Sequence, residues 1–218
     1  MLNHKKTTAV IIGNGNFESL PLANNYIKFA NEIIVLDSAI EQVITKTNVI
    51  PNVVIGDLDG NFDIERIEQT FPNVKIIHEP DQEKTDFEKA IEYLIKNNYS
   101  EVYGFCLTGK RMDHTFNNIS SLAKYNQAID IKIIDNNSTI FCIDSSSHFK
   151  KMYDKDTIIS LLPIGTVSGI TTKNLEFALN NEKLELGIRT GSSNKVLKTD
   201  FVEIEITKGK LIIMECID

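Results

Sequence analysis

The chain has 218 residues, enough for one large or two modest domains, and its 42% hydrophobic and 24% charged residues exclude a disordered protein. A net charge of -7, from 23 Lys+Arg against 30 Asp+Glu, argues against a sequence-independent nucleic-acid binder, which needs a basic surplus to neutralise phosphates. No apolar run reaches the roughly 18–20 residues of a membrane helix, so no membrane partner is expected.

The Ala9–Ile12 run follows two lysines, but Gly13-Asn14-Gly15-Asn16 interrupts it too early for a signal-peptide core. Cys106, Cys142 and Cys216 are odd in number and far apart, as buried thiols in a reducing compartment are. A cytoplasmic location is expected. Short β-branched runs then alternate with helical patterns. Thr8–Ile12, Glu32–Leu36, Asn52–Ile55, Val74–Ile77, Val102–Leu107 and Ile131–Ile134 read as strands with continuous apolar character, the mark of a parallel sheet buried on both faces. Phe87–Lys96 and Thr115–Tyr125 carry apolar stripes at helical spacing.

After about Asn137 the pattern changes to closely spaced strands: Thr139–Ile143, Thr157–Leu162, Thr166–Thr171, Phe201–Thr207 and Lys210–Met214. Turn signals at Pro163-Ile164-Gly165, Asn180-Asn181 and Lys208-Gly209 separate them. The expectation is an α/β domain over residues 1–137, mainly parallel and Rossmann-like, followed by an all-β sandwich domain over residues 138–218.

Acidic segments fall where the predicted parallel strands end, and open parallel sheets bind ligands there. Asp37, Gly56-Asp57-Leu58-Asp59-Gly60, Asp81-Gln82-Glu83-Lys84-Thr85-Asp86 and Arg111-Met112-Asp113-His114 would converge on one rim. Such a crevice suits Mg²⁺, which takes a few carboxylate oxygens plus substrate phosphates. Asp57 and Asp59 flank one residue in a glycine-bounded turn; alone the pair reads first as a polar turn, but Asp86 and Asp113 on neighbouring loops turn the reading towards a metal. Thr85 and Glu88 form a capping box for the helix that follows, which leaves Asp86 without a structural role of its own. Lys89, one turn in, is either an exposed helix lysine or a contact for phosphate. His114 reads equally as an acid–base residue and as a structural hydrogen-bonder.

Two familiar motifs fail. Gly104-Phe-Cys-Leu-Thr-Gly109-Lys110 mimics a P-loop, but Arg111 stands where Ser or Thr would hold the metal. Gly13-Asn-Gly15 with Asp37 mimics a dinucleotide fingerprint, but Glu18 occupies the third glycine position.

Together, Pro51–Asp59, Pro80–Ala90, Thr108–Asn118 and Gly191-Ser-Ser-Asn194 resemble the thiamine pyrophosphokinase family in order and spacing. The resemblance implies Mg²⁺-dependent transfer of diphosphate from ATP to the hydroxyl of thiamine, releasing AMP, in a homodimer with shared active sites. It implies that Asp57, Asp59 and Asp86 hold metal, and that Arg111 and Asp113 join them in catalysis. It places Asp37, Gln82, Thr85, Lys89, Arg111, Asp113 and His114 at ATP, and Ser193 and Asn194 at thiamine. Ser38-Ala39-Ile40, Gly60 and Lys195 depart from the family pattern, and with no tryptophan in the chain any ring stacking falls to Phe or Tyr. A non-catalytic thiamine- or nucleotide-binding paralogue and an NAD-dependent oxidoreductase are the alternatives.

Overall fold

The computed structural model describes residues 6–59 and 63–217; Gly60 lies outside them. The chain divides into two compact units, one running up to Asn118 and including Gln127–Asp135, the other formed by Ile119–Asn126 and Asn136–Asp218. Mixed α/β structure gives way to a β-rich C-terminal region.

The first unit contains β1 (Thr8–Ile12), α1 (Leu20–Ile27), β2 (Glu32–Leu36), α2 (Ile40–Lys46), β3 (Val53–Gly56), α3 (Ile64–Thr70), β4 (Lys75–His78), α4 (Asp86–Lys96), β5 (Glu101–Phe105) and β6 (Asp130–Ile134). α5 (Met112–Tyr125) starts here and runs into Ile119–Asn126. All strand pairs are parallel, in the order β4-β3-β2-β1-β5-β6. The six predicted strands are therefore present, each within two residues of its expected ends. Val10, Ile12, Val35 and Val54 share a core with Leu20, Ala23, Ile40, Val43 and Ile67, which puts α1, α2 and α3 on one face. α4 packs against β1, β2 and β3, and its Phe87, Ala90, Ile91 and Leu94 are almost completely buried. α1, α2 and α3 have only 7 or 8 residues each, too few for a clear 3.6-residue period, so the sequence pattern does not reveal them.

The strand order reverses at β1. β2, β3 and β4 follow on one side and β5 and β6 on the other, the arrangement that opens a crevice beyond the carboxyl ends of the strands. The Gly13–Asn16 loop does not stand open for a pyrophosphate. Its amides are bound to the end of β5 and the loop after it: Gly13 to Phe105 O at 2.9 Å, Gly15 to Cys106 O at 2.5 Å and Asn16 to Thr108 O at 2.8 Å.

In the second unit all strand pairs are antiparallel, in the order β7-β13-β9-β12-β8, with β10 and β11 also on β9. These are β7 (Ser138–Asp144), β8 (Phe149–Tyr153), β9 (Ile158–Lys173), β10 (Glu182–Glu185), β11 (Gly191–Lys195), β12 (Asp200–Glu205) and β13 (Lys208–Cys216). One expectation is corrected. Pro163-Ile164-Gly165 is not a turn between two strands but the middle of β9, which continues for 16 residues. Pro163 still pairs with Leu211, and the register then shifts where Gly165 takes φ +69°, so the signal marks a bulge.

Because α4 anchors the sheet beside the crevice, Ile91→Ala should cost about 2–5 kcal/mol, the usual penalty for a buried cavity of that size. Urea unfolding followed by circular dichroism measures it; a loss below about 1 kcal/mol would mean α4 does not hold the sheet.

Candidate active site

Three carboxylates meet at the ends of β2, β3 and the start of α4. Asp37, Asp57 and Asp86 each offer an oxygen, all within 4.8 Å of one another. Asp37 follows the last residue of β2 and is 6% exposed. Its Oδ1 accepts the Ser38 N–H at 2.5 Å and its Oδ2 the Leu58 N–H at 2.9 Å. Burial, with Asp86 close by, pushes its pKa up to about 6 against the restraint of those two amides. Gly56 makes the approach possible: a Cβ there would lie 2.1 Å from the Asp37 carboxyl carbon.

Asp57 is held from the other side. Gln82 Nε2 donates to its Oδ2 at 2.8 Å, and this bond is the main cause of a lowered Asp57 pKa. Asp86 opens α4. The capping box expected at Thr85 and Glu88 is present, with Thr85 N–H donating to Glu88 Oε2 at 3.1 Å. Lys89, far from being an exposed helix lysine, has a side chain only 2% exposed and reaches Asp86 Oδ1 at 3.1 Å.

These groups border a cleft of about 480 Å³ in the first unit, lined among others by Asp57, Asp86, Lys89, Arg111 and His114. Apolar Leu36, Phe87 and Leu107 contribute to its wall. Arg111 and Asp113 are exposed and form a two-point pair at 3.1 and 2.5 Å, which drops the Asp113 pKa to about 2 and raises that of Arg111. Asp59 is exposed and stands outside the three-carboxylate cluster; its N–H donates to Asp57 Oδ1 at 3.4 Å. The sequence reading placed Asp37 at the nucleotide rather than with the metal aspartates, because nothing in the pattern signals the burial that brings it to Asp57 and Asp86. Lys84 is also on the cleft and paired with Glu92 at 2.8 Å; within an acidic segment its sequence context carries no signal beyond a solvated charge.

In the second unit Ser193 is exposed with φ +55°, and its N–H donates to Ser160 Oγ at 3.0 Å. Asn194 is 2% exposed, and its amide is already engaged. Its Oδ1 accepts the N–H of Phe177 and of Lys195, and its Nδ2 donates to Phe177 O, all at 2.9 Å. Asn194 thus fixes the backbone beneath the Phe177 side chain, while the Phe177 residue is 66% exposed. Only the absence of tryptophan pointed towards such a ring.

A model of the thiamin pyrophosphokinase catalytic domain matches residues 23–134, and one of the thiamin pyrophosphokinase vitamin B1 binding domain matches residues 146–211. A thiamine pyrophosphokinase of Bacillus subtilis (strain 168) is 25% identical over 174 residues, 78% of this chain and 80% of that protein. Thiamin pyrophosphokinase 1 of Caenorhabditis elegans is 23% identical over 188 residues, 80% and 75% of the two chains. The crystal structure of a thiamine pyrophosphokinase from Bacillus subtilis shares the fold at TM-score 0.84 and 24% identity, covering 97% of this chain and all of that one (100%). Yeast thiamin pyrophosphokinase shares it at TM-score 0.82 and 18% identity, covering 99% and 88%.

The raised Asp37 pKa sets a sign for stability. Between its ordinary value and about 6 the folded protein binds a proton that the unfolded chain has released, so this group's contribution to stability falls as pH rises through that window. In chelator, the thermal midpoint of Asp37→Asn should gain on that of the native protein from about pH 4 to pH 7, by the order of 1–3 kcal/mol in stability. A difference that stays flat with pH would show that Asp37 ionises normally.

Proposed function

Since this chain belongs to the thiamin pyrophosphokinase family, we propose that it transfers the diphosphate of ATP to the hydroxyl of thiamine, giving thiamine diphosphate and AMP. It is an enzyme, a thiamine diphosphokinase. The observation that carries the mechanism is the meeting of Asp37, Asp57 and Asp86 beside buried Lys89 in one cleft.

The donor set fits Mg²⁺: carboxylate oxygens only, few in number, with room for phosphates and water. Asp37, Asp57 and Asp86 would hold it, with Asp59 adding charge nearby in sequence. The metal, when bound, neutralises phosphate charge and fixes the geometry of the chain of phosphates. The remaining work falls to the protein. Thr85 and the first amides of α4 present positive dipole ends, Lys89 and Arg111 offset charge that builds on the phosphates, and Asp113 holds the Arg111 fork in place. Gln82 keeps Asp57 oriented, and His114 contributes a further polar group to the wall. The thiamine hydroxyl attacks the β-phosphorus, the bond between it and the α-phosphate oxygen breaks, AMP leaves, and the hydroxyl proton is released.

For thiamine, Ser193 offers a hydroxyl and Phe177 an exposed ring face for a cationic aromatic ligand, with Asn194 acting through the Phe177 backbone. We further propose an α/β nucleotide-binding domain of Rossmann-like type followed by a β-sandwich thiamine domain, a homodimer with shared sites, and a cytoplasmic location. Three unpaired cysteines support the last. Among the described residues no helix is long and apolar enough to cross a membrane.

Incubation with ATP, Mg²⁺ and thiamine, followed by chromatography, tests the reaction. AMP and thiamine diphosphate are expected in equal amounts; thiamine monophosphate with ADP, or no product, would overturn it. Asp57→Asn should lower turnover by at least a hundredfold, roughly 3 kcal/mol of transition-state stabilisation, with little change in thermal midpoint. Near-native turnover in that variant would remove the metal assignment.

Assembly has its own test. Asp57→Asn and Phe177→Ala subunits, each nearly inactive alone, should recover roughly a quarter of native activity when mixed and exchanged, because half the dimers then carry one intact shared site. Activity that stays at the parents' level after exchange is verified by tagged pull-down would place each site within one chain.

A further inference from the structure

The cations around the cleft are not equivalent. Lys84 faces Glu92 at 2.8 Å, Lys89 faces Asp86 at 3.1 Å and Arg111 faces Asp113 at 2.5 Å. Lys110 lines the same cleft, and among the described residues its ammonium has no carboxylate within ion-pair distance. It rests instead on a neutral acceptor, Asn14 Oδ1, at 3.1 Å, with the Phe17 ring 5.8 Å away. An ammonium has three donors, and a bond to a neutral amide is weaker than one to an anion.

The resting place is itself built. Lys46 Nζ donates to Gln42 Oε1 at 3.0 Å, which fixes the Gln42 amide so that its Nε2 points at Asn14, 2.5 Å from the same Oδ1. Asn14 Oδ1 thus already has one donor before Lys110 arrives. The Lys110 side chain is not needed to dock its own loop, since the three backbone bonds from Gly13, Gly15 and Asn16 do that. Yet Lys110 is held at φ +50°, a left-handed conformation that a lysine adopts at a cost. A strained residue with an uncompensated charge therefore lines the cleft.

We propose that Lys110 is a specificity-determining residue of the nucleotide site: its ammonium moves from Asn14 to an oxygen of the terminal phosphates of a nucleoside triphosphate. This rests on the reading of the cleft as the ATP site. Lys110 thereby favours the triphosphate substrate over the monophosphate product, whose single phosphate leaves it on Asn14. The same asymmetry favours departure of AMP, while the transferred diphosphate carries the terminal phosphates, and with them the Lys110 contact, into the thiamine diphosphate product.

The test is equilibrium binding of ATP and of AMP, each with Mg²⁺ and without thiamine, to the native enzyme, Lys110→Met, Lys110→Arg and Lys110→Gly. Loss of one charged contact predicts about tenfold weaker ATP binding in Lys110→Met, with AMP binding unchanged and Lys110→Arg close to native. Lys110→Gly separates function from folding: glycine accepts φ +50° freely, so its thermal midpoint should equal or exceed the native one while ATP binding weakens as in Lys110→Met. Unchanged ATP affinity in both variants, or equal loss for ATP and AMP, would overturn the proposal while leaving the cleft assignment intact. Failure of the native enzyme to bind either nucleotide would overturn the cleft assignment and the proposal with it.

Discussion

Everything at the site depends on keeping like charges together. Two or three carboxylates within 4.8 Å repel one another, and burial of Asp37 makes its charged form dearer still. The fold counters this with fixed dipoles instead of a matching number of cations. The Ser38 and Leu58 amides bind the two Asp37 oxygens, Gln82 holds Asp57, and among the described residues only Asp86 has a cation, Lys89, within ion-pair distance. What remains is an excess of negative charge at one point, which a divalent cation relieves. The position of Asp37 is in turn possible only because residue 56 has no side chain.

The pairing of the sheet brings these residues together. β2 and β3 are neighbours in register, Leu36 beside Ile55, so the residues just after them emerge side by side. α4 packs across β1, β2 and β3, which sets its first turn, Asp86 included, above the same strand ends. On the opposite side of the crevice the loop after β5 is tied to the loop after β1 by backbone bonds, so Lys110 and Arg111 belong to a wall that is rigid at its base.

Much of this could be read from residue order. The strands of the first unit are continuous apolar runs bounded by polar residues, and α4 announces itself by an apolar stripe and the Thr85–Glu88 box. The clustering of acids at strand ends points to the crevice. Other features carry no local signature. α1, α2 and α3 are too short to show a period, and β10 and β11 are four- and five-residue strands of mostly polar residues whose pairing is decided by β9. The bulge at Gly165 looks locally like a turn, since Pro and Gly serve both. Burial of Lys89 and the inward role of Asn194 are tertiary facts: the same letters on a free helix or hairpin would be solvated. The uncompensated charge of Lys110 is of the same kind, visible only when every neighbouring cation has been matched with its partner.

The antiparallel unit has a property that bears on synthesis. β13, residues Lys208–Cys216, lies between β7 and β9 and pairs with both along almost its whole length. Its neighbours have no ladder with each other among the pairings described, so β7 and β9 acquire a common partner only when the ribosome has released residue 216. At about 5–20 residues per second, several seconds separate the emergence of β7 from that moment. Once β9 has emerged, two apolar strand edges stand open until then, at a stage when the parallel sheet has already emerged in full. The β-rich unit is therefore the part of the nascent chain that most needs protection from pairing with a neighbour, and one strand, the last to appear, ends the exposure.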